Sequence, residues 1–361
     1  MRPQYLKYAS IVFALVLSAS AHGLPGESIV LDPITGNYTI TYFGYDEVSG
    51  EQTALRVATF EPATKIDPSV KSLLKMNAGG FVEYGYRVRN GSTSRQSIVM
   101  ILFDPIADLA TTTTPLGSTQ PNSVAENYGV ATYPINTPNP WTGWVIDSVT
   151  GAGLRAGWSS VRASIPVGGA MSGFGFFSKN LPGIGIAQLR GRAAIREFVD
   201  EGPDGEVGDQ LDKLVQNNFV IRNAAVPIIS VPTPFDPAIV LDNLRTHIAT
   251  WPSKQLADAT VVAQLDAELV ATTNAYRANQ PQVARDHIEI LLDLIRREHK
   301  DIDREDDDEH DNKRIEQEAD RKATTQAIRL DRLAARVLDF DLKYVLKRMK
   351  KEDDEHETKK H

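Results

Sequence analysis

Cysteine is absent from the 361-residue chain. Without thiols the protein has no disulfide framework and no thiol nucleophile, so its stability has to come from packing or from bound ions. Beyond residue 21, no apolar run approaches the roughly 18 residues that a membrane-spanning helix requires. The seven histidines form no pair at metal-ligand spacing in a part predicted to be structured.

No catalytic motif is recognisable in the sequence. Ser172 lies between glycines that do not have the spacing of a G-x-S-x-G nucleophile elbow. His356 and Glu357 are followed by His361 one residue too late for an H-E-x-x-H zinc motif. The sequence therefore favours a non-catalytic function. The alternative enzyme is a glycan hydrolase whose two carboxylates are brought together only by the fold.

The first 21 residues have the three regions of a cleavable secretory signal peptide. Arg2 and Lys7 are followed by the apolar run IVFALVL at residues 11–17 and by Ala19-Ser20-Ala21, a pattern that signal peptidase accepts. We therefore expect a secreted, periplasmic or cell-surface protein. The formal net charge of −8 argues against nucleic acid as a partner.

Residues 24–225 are predicted to form an antiparallel β-sandwich domain, because short β-branched and aromatic runs alternate with turn residues. The clearest strand is FVEYGYRVR at residues 81–89. Its residues Val82, Tyr84, Tyr86 and Val88 point one way, while Glu83, Arg87 and Arg89 point the other.

Residues 226–237 contain four prolines and are predicted to be a stiff linker. The period then becomes helical: a helical hairpin module is expected at 238–300, and an amphipathic C-terminal helix at 313–351. An acidic linker at 301–312 separates the two, and a charged, disordered tail is expected at 352–361. The predicted class is a multi-domain β plus α protein, an antiparallel β-sandwich followed by a helical hairpin and a long C-terminal helix.

The helical part carries a family resemblance. A leading helix precedes the segment AQLDA at 263–267, and a turn at Asn279 precedes an apolar ladder of Ala284, Ile288, Leu292 and Ile295. In these features residues 241–299 resemble the FIMAH-type helical module near the C-termini of secreted bacterial proteins. Pro281 in the turn, and Leu292 where an aromatic residue is usual, depart from that pattern. The resemblance implies an accessory module without catalytic residues.

The β half is similar to a domain of uncharacterised exported bacterial proteins. The similar segments are Tyr86-Arg87-Val88, Gly143-Trp144, the IPVG at 165–168 and the SKNLPGI at 178–184. This resemblance implies no known activity.

Two groups of residues are candidate sites. Trp141, Trp144 and Trp158 lie in a stretch rich in Gly and Pro, where exposed rings would stack on sugars and buried rings would simply fill a sandwich core. Asp200, Asp204 and Glu206 lie among glycines and suit a hard cation such as Ca²⁺, the alternative being a solvated turn. Apart from Ca²⁺, no cofactor is expected.

The sequence therefore predicts an exported binding protein of the cell surface or matrix. Its ligand is an extracellular component that the sequence does not identify. The alternatives are the glycan hydrolase and a structural protein that self-associates through its C-terminal helix.

Overall fold

The structure is a computed structural model of the chain. It describes residues 25–45, 49, 51–77, 80–107, 109, 123–126, 132–148, 153–196, 203, 205–216, 218–299 and 329–358. The predicted signal peptide and the predicted acidic linker lie outside these residues. The chain divides into two compact units, of which the first contains residues up to Ala63 together with Ala193–Asn218.

The first unit has one antiparallel sheet and one helix. Its strands are β1 (Ser28–Leu31), β2 (Tyr38–Tyr45), β3 (Gln52–Glu61) and β13 (Ala194–Arg196), in the order β1-β2-β3-β13. A turn that contains Gly36, with φ of 67°, joins the first two strands. Helix α1 (Gly205–Gln216) places Val207 and Leu211 against the buried side chains of Ile40, Tyr42 and Phe60.

The second unit contains a sandwich of two five-stranded antiparallel sheets. The first sandwich sheet has the order β4-β5-β11-β8-β7, with β4 (Pro68–Met76), β5 (Val82–Asn90), β11 (Ala170–Ser178), β8 (Thr132–Asn136) and β7 (Ser123–Glu126). The second sandwich sheet has the order β14-β12-β6-β10-β9, with β14 (Val220–Ile229), β12 (Leu181–Gly191), β6 (Ile98–Ile106), β10 (Leu154–Ser159) and β9 (Thr142–Asp147).

Aromatic side chains fill the space between these two sheets. Tyr86 of β5 stacks on Phe103 of β6, with ring centroids 4.2 Å apart, and Trp158 of β10 stacks on Phe176 of β11. The hydroxyl group of Tyr86 donates a hydrogen bond of 2.8 Å to the carbonyl oxygen of Ala225 in β14. The alternation predicted for residues 81–89 is thus observed, with the apolar side chains turned inward.

The helices of the second unit are α2 (Pro237–Ile248), α3 (Ala259–Arg277), α4 (Pro281–Glu298) and α5 (Arg332–Thr358). Asp236 caps α2 by accepting hydrogen bonds from the backbone N–H groups of Ala238 and Ile239. Helices α3 and α4 form the predicted hairpin, with Asn279 at φ of 58° in the turn. The predicted β plus α class, with a sandwich, a helical hairpin and a long C-terminal helix, is confirmed.

The division of the chain differs from the predicted one. The helices belong to the same compact unit as the sandwich, because α2 and α5 contact strands β12 and β14. Residues 226–229 of the predicted linker belong to β14. Proline is tolerated there because β14 is an edge strand, where the missing N–H of Pro227 does not interrupt hydrogen bonding between two neighbouring strands. Helix α5 also continues seven residues beyond its predicted end at 351.

This architecture predicts that, while α5 is docked, urea unfolds the sandwich and α5 in one cooperative transition. Leu342 is fully buried in the shared core, so Leu342→Ala should destabilise both parts by about 2–5 kcal/mol. In a Trp251→Phe background the remaining tryptophans report on the sandwich, and circular dichroism reports on the helices during urea unfolding.

Lys347→Ala, at an exposed position of α5, is the matched control and should leave both midpoints unchanged. Loss of helical signal in Leu342→Ala at a urea concentration that leaves the tryptophan midpoint unmoved would show that the helices fold independently.

Candidate functional site

Basic side chains collect on the outer face of the first sandwich sheet. Because alternate residues of β5 point into the sandwich, Arg87 and Arg89 point outward. Arg87 lies directly opposite Lys71 of β4. Lys75 is also outward and exposed, opposite Glu83. We call the outward residues Lys71, Lys75, Arg87 and Arg89 the basic face. Glu83 is the one acidic residue among the outward positions of β4 and β5, both of which are described throughout.

A row with little side-chain volume crosses this face. Gly85 of β5 pairs with Leu73 of β4 on one side and with Gly175 of β11 on the other. Leu73 is 45 % exposed and Gly85 is half-buried, whereas Gly175 is buried. We call Leu73, Gly85 and Gly175 the groove. It is open at the surface over β4 and β5 and has an apolar floor.

An aromatic side chain lies on the same face, beyond Lys75 and Glu83. Phe81 precedes β5 and covers Phe177, which is fully buried. The amino group of Lys179 lies 5.6 Å from the centre of the Phe81 ring, a cation–π arrangement. Phe81 itself is half-buried. Basic residues therefore lie on both sides of the groove, and a partly accessible ring lies farther along the face, beyond Glu83.

The structure places two of the three predicted ligand-binding tryptophans in the core. Trp158 is fully buried and donates to the carbonyl oxygen of Asn136 across the sandwich, while Trp141 is buried against Phe174. Neither ring is accessible for stacking on a sugar. Burial of the largest apolar side chains between the sheets removes the most apolar surface from water. Trp144 is half-buried and lies against Gly157.

The predicted calcium residues are only partly described. Asp200 and Asp204 lie outside the described residues, and Glu206 is exposed in the first turn of α1. No group of three or more His, Cys, Asp or Glu side chains suited to a metal ion occurs among the residues that the structure describes. A calcium site at residues 200–206 therefore stays a prediction.

One buried acid lies on the sandwich strands, in a closed network. Asp104 accepts from Ser148 at 2.5 Å with one oxygen and forms a salt bridge to Arg155 with the other. Both oxygens are occupied, so this group ties the β9–β10 hairpin to β6. It does not form the pair of free carboxylates that a glycan hydrolase needs.

His247 connects helix α2 to the sandwich. Its Nε2 accepts a 2.8 Å hydrogen bond from the backbone N–H of Ile184 in β12, and its ring packs against Trp251. Burial, and then the nearby charge of Lys254, lower the pKa of His247 to about 4. The imidazole is therefore neutral at pH 7, as its role of acceptor requires.

Comparison with known proteins found no matching family model and no matching curated sequence. The FIMAH-like resemblance of residues 241–299 accordingly stays a prediction. No helix in the described part of the chain is both long and apolar enough to cross a membrane.

The acceptor role of His247 predicts an acid-sensitive step in stability. An unfolded histidine takes up its proton near pH 6.5, whereas folded His247 does so near pH 4. Stability should therefore be complete above pH 6.5 and fall by up to about 3 kcal/mol as the pH decreases to 4.

His247→Gln keeps an acceptor for the Ile184 N–H but does not titrate. Urea unfolding of the two proteins between pH 4 and 7 should show a flatter profile for His247→Gln. His287→Gln, on α4, serves as the control and should retain the wild-type slope. An equal slope in His247→Gln and wild type would contradict the assignment.

Proposed function

We propose that the protein is an exported, non-catalytic binding protein that attaches to an acidic polysaccharide of a cell surface or extracellular matrix. The ligand lies along the groove, and the basic face holds its negative charges. The observation that carries the proposal is the concentration of four basic residues around an open groove, in a chain whose net charge is −8. Such a local reversal of charge attracts anions that the rest of the surface repels.

The shape of the groove favours a polymer as the ligand. Two adjacent strands, β4 and β5, form its accessible floor, which is therefore about 5 Å wide across the strands. An open groove of this kind accepts a chain that continues beyond the site, whereas small molecules are usually held in closed pockets. Leu73 and the half-buried Phe81 offer apolar surface to sugar rings between the cations.

Gly85 supports a binding role because the fold does not require glycine at this position. A Cβ atom on Gly175 would lie 2.4 Å from the carbonyl oxygen of Tyr84, so the backbone requires glycine there. A Cβ atom on Gly85 would meet nothing closer than the Cβ of Leu73, at 3.6 Å, an ordinary contact. Glycine weakens a strand, and at residue 85 its effect is to keep the groove open.

Charge reversal on the basic face tests the electrostatic part of the proposal. Lys71→Glu/Arg87→Glu should weaken binding to alginate, a polyuronate, by about 10- to 100-fold, since two attractive charges become repulsive. Isothermal titration calorimetry at several salt concentrations measures the loss. Wild-type affinity should decrease as salt increases.

The matched control is Lys347→Glu/Lys350→Glu, which makes the same charge change at exposed positions of α5. It should bind alginate like wild type, and neutral dextran should bind to none of the proteins. Equal losses of alginate affinity in the two double variants would show that only the net charge of the protein matters. If wild type bound neither polymer, the proposal would be contradicted.

Filling the groove tests its shape separately from its charge. Gly85→Val places a β-branched side chain beside Leu73, where the contacts allow it. The variant should keep or slightly raise the melting temperature and should lose alginate binding at least tenfold. Gly85→Ala, with a smaller side chain, should lose less. Unchanged affinity in Gly85→Val would show that the ligand does not enter the groove.

A further inference from the structure

Asp341 is a buried carboxylic acid without a hydrogen-bond partner. It lies in the middle of α5 on the helix's apolar stripe, between the buried side chains of Leu338, Leu342 and Val345. Its exposure is 0 %, and neither carboxyl oxygen has a hydrogen-bond donor within reach. Buried acids are normally paired or hydrogen-bonded, so this group needs an explanation.

Tyr84 is the ionisable group that interacts electrostatically with Asp341. It lies on β5, and its hydroxyl group donates to the carbonyl oxygen of Asn180 at 2.8 Å, so that its proton is not directed at Asp341. Burial raises the pKa of Asp341 well above its ordinary value. Burial, and then the charge of Asp341, raise the pKa of Tyr84.

The charged groups of the neighbouring helices have partners of their own. On α5 itself, Lys343 binds Asp339 at 2.7 Å. Charged residues of α2 and α4 form further ion pairs, including three with residues of α3. The pairs are Arg245 with Asp266, Asp242 with Arg277, His287 with Glu268, Arg296 with Asp293, and Glu298 with Arg329. Arg285 on α4, and Arg332 and Arg336 on α5, also make contacts of their own. Arg336 lines the cavity between α5 and β4, and Arg348 of α5 lies over the ring of Phe235.

The charged side chains of the strands near α5 point away from Asp341 or contact other groups. Ser72 and Leu74 of β4 line a cavity of about 120 Å³ against α5, so the outward residues of β4 and β5 lie on the opposite side of their sheet. Arg190 of β12 lies over the ring of Phe219, and Arg222 of β14 donates to the carbonyl oxygen of Pro68. No cation in the described part of the chain therefore compensates an ionised Asp341.

The start of α5 is attached independently of Asp341. The N–H of Asp258 donates to the carbonyl oxygen of Arg329 at 2.8 Å, and the N–H of Asp331 donates to that of Leu256 at 2.7 Å. Asp331 then caps the helix by accepting from Leu333 and Ala334. The first turn is thus held to the segment before α3, while the middle of the helix depends on side-chain packing.

We propose that α5 is a pH-sensitive latch, closed while the buried, unpartnered Asp341 keeps its proton and released from the sandwich when Asp341 ionises. An ionised carboxylate at this position has neither a cation nor a donor, so leaving the core and entering water is favourable. Release about the bridge at residues 329–331 uncovers the apolar stripe. Self-association through the C-terminal helix would use this stripe.

The direction of the pH effect follows from the raised pKa. The docked state keeps a proton that an exposed aspartate loses near pH 4. Docking is therefore strongest below that pH and weakens as the pH rises towards the raised pKa of Asp341, by up to about tenfold per pH unit. The latch is closed in acid and opens with increasing pH.

Hydrogen exchange of the full chain tests the latch. Protection factors of the α5 amides at residues 336–350, corrected for intrinsic rates, are measured from pH 5 to 9 and compared with those of β5 and β6. In wild type they should fall by up to tenfold per pH unit relative to the strands. Asp341→Asn and Asp341→Leu, which carry no ionisable group, should both remove this slope.

Asp339→Asn is the matched control, because Asp339 is a neighbouring and largely buried acid that has a lysine partner. It should retain the wild-type slope. The latch is overturned if wild type has no slope, if both Asp341 variants keep it, or if Asp339→Asn removes it. Two non-ionisable variants are used so that a packing defect in one leaves the other informative.

Discussion

The aromatic layer between the two sandwich sheets is the interaction on which the rest of the second unit depends. Tyr86, Phe103, Trp158 and Phe176 are all buried and in ring contact. Burial of such rings contributes more per residue than any other apolar contact in the core. Because this layer fixes which side of β5 faces inward, it also fixes Arg87 and Arg89 on the outside. The candidate binding surface is therefore the outer face of the first sandwich sheet, whose inner face forms part of the core.

Several polar groups of that layer have partners, whereas the Nε1 of Trp141 and both carboxyl oxygens of Asp341 on α5 are buried without one. The hydroxyl groups of Tyr84 and Tyr86 reach carbonyl oxygens at 2.8 Å, and the indole of Trp158 reaches one at 3.0 Å. A buried polar group without such a partner costs about 1–3 kcal/mol, and a charged one more. The neutral acid is therefore the form that fits the core, and the docking of α5 is expected to depend on pH.

Local sequence patterns predicted most of the elements but missed helix α1, which lies in the range predicted as β-sandwich. They did not predict how the elements assemble. Period-two alternation correctly predicted β5 and its outward arginines, and three-four spacing predicted the α3–α4 hairpin. Pairings between distant segments leave no local signal. The pairing of β14 with β12 over nine residue pairs, which places Pro227 inside a strand, is of this kind. So is the burial of Trp141 and Trp158, since both depend on the opposite sheet.

Because pairings between distant segments leave no local signal, the candidate binding surface could be predicted only in part. Arg87 and Arg89 follow from alternation, whereas the neighbouring Lys71 requires the register of β4 against β5. That register has a cost, because like charges directly opposite each other destabilise a sheet. Gly85 adds a second cost, since glycine is a poor strand residue and its contacts do not demand it. Exposed Leu73 in the same row adds apolar surface in contact with water.

Features that weaken a fold are expected where function requires them. Their concentration on one face is the physical reason to place the ligand there.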